Sequence, residues 1–255
     1  MNILEINNLT MRFGGLTAVD NVSFSVESGS LSGLIGPNGA GKTTLFNMVT
    51  GVYEPTEGSI RFQEAEISGS RPYQVANAGI ARTFQNIRLF PTLSVFDNVR
   101  TGFNNSSATG FFGSIFRLGG YARNERIIAG KIDALLDKFG LLEMRSELAR
   151  NLSYGDRRRV EIVRAMATGP QLLLLDEPAA GMNPTEKREL MELIRYLRDE
   201  FGIAILLIEH DMKVVMGICE NIAVLDHGAK IAEGTPESIR NNNDVITAYL
   251  GAPTT

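Results

Sequence analysis

The chain has little of what makes covalent cross-links or membrane spans. Cysteine occurs once in 255 residues, at Cys219, which excludes an intramolecular disulfide and suits a reducing compartment. No apolar run approaches the ~20 residues of a membrane-spanning helix. The longest stretches, such as Ile203 to Ile208, are strand-sized. A basic excess is also missing. Lys and Arg number 25 against 29 Asp and Glu, a formal net charge of -4, which gives no support to a general nucleic-acid binder. Met1 to Leu9 contains Glu5 and three asparagines, and it lacks the apolar core and cleavage site of a signal peptide. There is no internal repeat and no low-complexity segment. What is present is ordinary globular usage, 44% hydrophobic and 21% charged, in a length that suits one large domain or two small ones. The expectation is a cytoplasmic chain, soluble or peripheral to a membrane. One compositional oddity is a glycine-, serine- and aromatic-rich patch from Thr101 to Tyr121, containing Phe111 and Phe112, which reads as a mobile insertion.

Against that background one stretch organises the rest. Gly36, Pro37, Asn38, Gly39, Ala40, Gly41, Lys42 and Thr43, followed by Thr44, fit the phosphate-binding loop pattern at every fixed position. Leu31 to Ile35 reads as a buried strand before it, and Thr44 to Thr50 as the start of a helix after it. Gly36, Gly39 and Gly41 permit positive φ and a close approach of backbone to ligand. The exposed N–H groups then make an anion site, reinforced by the helix N-terminus. Lys42 offers a positive charge to the β- and γ-phosphates, and Thr43 a hydroxyl to Mg²⁺.

Four further signals carry chemistry. Leu172 to Glu177 ends a buried strand in two adjacent carboxylates, and ligands of parallel sheets gather at carboxyl ends of strands. Asp176 is placed to hold Mg²⁺, usually through water, and Glu177 to take a proton from attacking water. His210 follows the buried run Ile203 to Ile208; alone it reads as a plain surface or core histidine, but beside Asp176 and Glu177 it can bond a γ-phosphate oxygen. Gln85 closes a strand from Ile80 to Phe84; its amide can ligate Mg²⁺, or it is a solvated loop residue. Leu152, Ser153, Tyr154, Gly155 and Asp156 open a helix, with Ser153 as N-cap and Asp156 in the place of a capping-box acid. That second anion-binding N-terminus cannot easily reach the phosphate held by Lys42 from the far side of a domain, which points to a dimer.

The remaining pattern mixes strand and helix. Ile3 to Leu9 and Ala18 to Val26 alternate as half-buried strands around a turn at Phe13-Gly14-Gly15, and Ile60 to Phe62 joins them in an antiparallel group. Helical readings fall at Arg71 to Ala78, from Ser94 through Arg100, at Asn124 to Phe139, from Ser153 to Gly169-Pro170, and at Thr185 to Phe201. Ile222 to Leu225 and Lys230 to Ala232 form a hairpin across Asp226-His227-Gly228, and short helices at Pro236 to Asn241 and Asp244 to Leu250 finish the chain.

The phosphate loop, Gln85, Leu152 to Asp156, Leu172 to Glu177 and His210, in that order, resemble the nucleotide-binding subunit of ATP-binding-cassette (ABC) transporters. The resemblance covers essentially the whole chain. It implies an α/β fold, with a P-loop NTPase (RecA-like) core, an antiparallel β-subdomain, and a helical signature subdomain. Core and β-subdomain would take 1–90 and 169–255, and the helical part about 91–168. It implies ATP and Mg²⁺ as cofactors, with Thr43, Gln85 and Asp176 at the metal, and ATP hydrolysis by Glu177, His210 and Lys42. Phe13 matches the aromatic that stacks on adenine, with Val19 beside it. Ser153 and Gly155 match the residues that cap the γ-phosphate of another subunit. The chain departs from the family pattern at Tyr154 and Asp156, where L-S-G-G-Q is usual, and at Asn183, where an aspartate is usual. R-T-F-Q-N-I-R-L-F around Gln85, D-E-P-A-A-G-M-N, I-E-H-D-M-K-V-V-M-G and the terminal A-Y-L-G resemble the LivG-type ATPase of branched-chain amino acid importers. That resemblance implies a peripheral subunit at the cytoplasmic face of the plasma membrane. Its partners would be a second ATPase subunit (a copy or a LivF-like chain), two membrane permease subunits, and a periplasmic or extracellular solute-binding protein, with no nucleic acid. ATPases for urea or short amides and for lipopolysaccharide export share part of the pattern. A soluble regulatory ATPase clamping nucleic acid or ribosome is the reading from a different class; it lacks a second cassette, a long coiled coil and a basic excess here.

Overall fold

The computed structural model describes residues 1–103 and 120–250, with the backbone alone for 120–124 and 250. Most of the patch read as an insertion, Phe111 and Phe112 included, lies outside the described residues. In chain order the elements are β1 (Asn2–Phe13), β2 (Leu16–Glu27), β3 (Leu31–Ile35), α1 (Lys42–Val49), β4 (Glu57–Phe62), β5 (Ala65–Glu66), α2 (Pro72–Ala78) and β6 (Ile80–Arg82). There follow α3 (Val95–Phe103), α4 (Gly120–Lys138), two short 3-10 turns, and α5 (Tyr154–Met166). The chain closes with β7 (Leu172–Asp176), α6 (Pro184–Phe201), β8 (Ala204–Ile208), α7 (Met212–Ile218), β9 (Asn221–Asp226), β10 (Ala229–Gly234), α8 (Pro236–Arg240) and α9 (Asn243–Leu250).

Contacts divide these elements into two units, one of Met1–Gln85 with Gln171–Thr255 and one of Asn86–Pro170. The first unit holds two sheets. A four-stranded antiparallel sheet runs β2-β1-β4-β5, and a six-stranded mixed sheet runs β10-β9-β3-β8-β7-β6. In the latter, β9-β3-β8-β7-β6 pair in parallel and β10 is antiparallel to β9. Every residue of β3, β7 and β8 is buried. That is why their sequences are near-continuous apolar runs rather than alternating ones. One apolar core spans both sheets, joining Leu4, Ile6 and Phe62 to Leu34, Leu174 and Leu206 around Phe46 of α1.

The hairpin strands β1 and β2 are longer than their alternation suggests. Four register shifts interrupt their pairing and break the strict alternation, so that Leu4, Ile6, Leu9 and Met11 of β1 and Val19, Val22, Phe24 and Val26 of β2 all join one core. A helix the sequence did not advertise, α7, lies between His210 and Cys219, capped by the Asp211 side chain, which accepts from the N–H groups of Lys213 and Val214.

The second unit is helical. Asn98, wholly buried on α3, ties down the segment that precedes it: its amide accepts from the Phe90 N–H at 2.8 Å and donates to the carbonyls of Phe90 and Ser94. Gly102 packs where a Cβ would come within 2.5 Å of the Arg164 carbonyl, so α3 and α5 approach closely. Ile132, Leu136 and Phe139 are the buried positions of the amphipathic face read around α4.

Candidate active site

The phosphate loop sits between the end of β3 and the start of α1. Its glycines are needed for two different reasons. Gly36, Gly39 and Gly41 have φ of 150°, 82° and 95°. A Cβ on Gly36 would lie 2.1 Å from the Leu225 carbonyl oxygen, and one on Gly41 2.5 Å from that of Ala18, while one on Gly39 would meet nothing within 4 Å. The close approach at Gly36 and Gly41 is therefore to the protein's own backbone. Only at Gly39 is the space open.

Lys42 is buried, and its Nζ donates to the carbonyls of Gly36 (2.7 Å) and Pro37 (2.8 Å), holding the ammonium across the loop. Burial pushes its pKa down, partly opposed by the nearby carboxylates of Glu177 and Asp176. Tyr249 of α9 hydrogen-bonds the backbone of Gly36, and burial pushes its phenol up.

Asp176 ends β7, and the Glu177 N–H continues the ladder to the Ile208 carbonyl at 2.9 Å. Glu177 then adopts φ 46°, a left-handed conformation that a glutamate takes at a cost and that turns its side chain away from the strand direction. Its carboxylate meets two residues singled out in the sequence. Gln85 donates from Nε2 to Glu177 Oε2 at 2.8 Å, and His210 Nδ1 stands 3.6 Å from the same oxygen. Lys42, Gln85, Asp176, Glu177 and His210, spread over 169 positions of sequence, thus belong to one site.

A cleft of about 470 Å³ beside these groups is lined by Phe13, Thr17, Ala18, residues 38–44, Glu177 and His227. Phe13 is partly exposed and packs edge-on against Tyr53 at 5.3 Å. Val19 is different: it is wholly buried beneath Gly41 and is not among the lining residues, a place that Ala18 and Thr17 take. From there Val19 supports the loop.

Three residues here were not anticipated. Arg82 joins Asp176 through Nη2 to Oδ2 at 2.7 Å, and both side chains are buried. Glu209, fully buried, accepts from the Ala179 N–H at 2.6 Å with one oxygen and from the His210 N–H at 3.1 Å with the other. It binds the segment after Glu177 to the segment carrying His210, and burial pushes its pKa up against those hydrogen bonds. The signal for both was a lone charge in or beside an apolar run. His227, at φ 45° in the β9–β10 turn, borders the cleft and was read only as part of a turn.

The oxygen donors assigned to Mg²⁺ are the Thr43 hydroxyl, the Gln85 amide and the Asp176 carboxylate. They form a hard set that suits this cation, which keeps several waters and shares phosphate oxygens. Among the described residues no three His, Cys, Asp or Glu side chains gather into a metal-binding group.

The signature residues Leu152 to Asp156 lie in the second unit. Ser153 is the N-cap of α5, accepting from the Asp156 N–H at 3.1 Å. The reciprocal half of a capping box does not form. Aspartate is one carbon shorter than glutamate, and Asp156 instead accepts the Ser153 hydroxyl at 2.6 Å. Tyr154 has its own partner: Arg158 Nη2 lies 3.3 Å from its hydroxyl, and Arg158 pairs with Glu161 at 2.8 Å. Glu161 in turn accepts from the Arg88 N–H at 3.1 Å. Asn183, in the first unit, caps α6 and forms a complete capping box with Glu186, a role that an aspartate would fill equally well.

A strand, a glycine loop, a helix and a strand-end carboxylate pair, arranged this way, define a P-loop nucleotide hydrolase. The ABC transporter family model matches residues 19–180, and the model for the branched-chain amino acid ATP-binding cassette transporter matches 229–254. The chain is 49% identical over 249 residues to the high-affinity branched-chain amino acid transport ATP-binding protein LivG of Salmonella typhimurium, covering 98% of both chains. It is 47% identical to BraF of Pseudomonas aeruginosa, described in the same words, again over 98% of both. An ATP-binding cassette of an ABC transporter solved in its ADP conformation superimposes with a TM-score of 0.86 at 31% identity, covering 99% of this chain and all of that one. The chain belongs to the ATP-binding subunits of ABC transporters, and it is an ATP hydrolase. No helix among the described residues is long and apolar enough to cross a membrane.

Proposed function

We propose that this chain powers an importer for branched-chain amino acids, as a peripheral ATPase subunit on the cytoplasmic face of the membrane. The observation that carries the chemistry is the convergence of Gln85 and His210 on the Glu177 carboxylate beside the phosphate loop. ATP enters the cleft with its base against Phe13 and its phosphates over residues 36–44. Water attacks the γ-phosphorus while Glu177 takes its proton; the bond from phosphorus to the β,γ-bridging oxygen breaks, releasing ADP and phosphate. Gln85 and His210 hold Glu177 and orient the water and the γ-phosphate. Lys42 neutralises the phosphates. Mg²⁺, when bound by Thr43, Gln85 and Asp176, supplies further neutralisation of phosphate charge.

The site is completed by a second ATPase subunit, either a copy or a LivF-like chain, whose Ser153 and Gly155 equivalents cap the γ-phosphate. The segment after Gln85 passes the closure to two membrane permease subunits, and a periplasmic or extracellular binding protein delivers the solute. The match at 229–254 and the relatives' transport of branched-chain amino acids support the choice of solute. Reconstituting the chain with its membrane subunits and binding protein tests it. ATP-dependent uptake of leucine, isoleucine and valine is expected. Uptake of urea or a short amide in their place would overturn the assignment.

A further inference from the structure

We propose that Arg82 is a positioning residue that holds the Asp176 carboxylate in register with Thr43, so that the two present their oxygens to one metal ion. The inference rests on the reading of Asp176 as the metal-side carboxylate. Arg82 is the last residue of β6, beside Leu174 of β7 in the parallel register. From there its planar fork reaches two elements at once. Nη2 donates to Asp176 Oδ2 at 2.7 Å; Nη1 donates to Asn47 Oδ1 at 2.7 Å and lies 3.3 Å from Thr50 Oγ1. Asn47 is on α1 and Thr50 is its C-cap, four and seven residues after Thr43 and on the same face of the helix. One guanidinium therefore ties the strand that ends in Asp176 to the helix that begins at Lys42 and Thr43.

The surroundings fix the fork. Its central carbon stands 5.5 Å from the ring centre of Phe46 and 5.1 Å from that of Phe84. Arg82 and Asp176 side chains are only 7% and 6% exposed. Arg82 Nε is buried without a hydrogen-bond partner among the described residues, so the group is held for its two terminal nitrogens. A lysine, with a single point charge, cannot serve both elements with the same geometry. Because Arg82 takes Oδ2, Asp176 is left with Oδ1 for the metal-side hydration shell, and its rotamer is set before metal arrives.

A plain electrostatic role predicts the opposite sign. A buried cation beside a metal ligand weakens metal binding, so its removal should tighten it. Positioning predicts that removal loosens it, on the scale of about 10- to 100-fold for lost outer-shell partners. The test is Mn²⁺ binding to the ATP-loaded full chain by electron paramagnetic resonance, with ATP affinity in EDTA as reference. Arg82→Met keeps the apolar stem between the rings. It is expected to weaken Mn²⁺ roughly 10-fold or more while changing metal-free ATP affinity less than about twofold, with Arg82→Lys in between. If Arg82→Met does not fold by circular dichroism, Arg82→Lys is read alone, with a several-fold loss of Mn²⁺ affinity expected. Asp176→Asn is measured in parallel. Loss of Mn²⁺ affinity there without loss on changing Arg82 overturns the positioning role alone, as does tighter binding. Unchanged Mn²⁺ affinity in Asp176→Asn overturns the reading beneath it.

Discussion

Replacing the loop glycines one at a time with alanine separates the loop's contacts with its own protein from its contacts with nucleotide. Gly41→Ala places a Cβ 2.5 Å from the Ala18 carbonyl oxygen, inside the 3.0 Å below which real Cβ contacts are essentially not seen, and it must do so at φ 95°. The strained backbone costs about 1–3 kcal/mol. Forcing a methyl against a fixed strand carbonyl adds about 1–3 kcal/mol as overpacking. Gly39→Ala carries the first cost without the second, because its Cβ meets nothing within 4 Å. Calorimetric melting without nucleotide, which would otherwise stabilise by linkage, is the assay. With ~2–4 °C per kcal/mol for a chain of this size, Gly41→Ala is expected to melt on the order of 10 °C lower and Gly39→Ala about 3–5 °C lower. Equal losses in the two variants would refute the claim that Gly41 is required by the backbone of Ala18.

Two further outcomes follow from side-chain geometry. The Ser153 hydroxyl donates to Asp156 at 2.6 Å, so capping a partner's phosphate requires it to let go. Asp156→Gln removes both the competitor and a negative charge near the phosphate, and it should raise ATPase turnover of the assembled transporter about 2- to 5-fold, the scale of one modest hydrogen bond; unchanged or slower turnover would sink this. Asp211 has its pKa held below the usual value, first by its hydrogen bond to Lys187 at 2.6 Å, with burial opposing. A depressed carboxylate contributes stability that is present above its unfolded pKa near 4 and lost as pH falls through the folded value. The melting difference between wild type and Asp211→Asn should therefore be under about 1 kcal/mol at pH 7 and shrink toward zero as the pH falls through the lowered folded value. A difference independent of pH would contradict the ion pair.

How much was legible can be judged from particular residues. The phosphate loop, β3, β7 and β8 were readable because a fixed spacing and a fully buried apolar run are local signals. The side-chain partners of Arg82 and Glu209 were not. Arg82 finds Asp176 94 positions away, and Glu209 finds Ala179 30 positions away; no local period encodes such a meeting. The left-handed turn at Glu177 was equally hidden, since glutamate carries no preference for it. Asp156 shows a local rule failing for a local reason, a side chain too short to close the capping box. Asn183 keeps a local rule: asparagine caps a helix N-terminus as well as the aspartate it replaces.

The central claim is that Glu177 is the base, and one comparison tests it most directly. Glutamine keeps the length of the side chain and the backbone turn at φ 46°, and it removes only the ability to take a proton. Single-turnover hydrolysis by Glu177→Gln, with ATP binding measured alongside, should show binding preserved and hydrolysis slowed by roughly 10²-fold or more. Hydrolysis at close to the wild-type rate would take Glu177 out of the reaction and contradict the account.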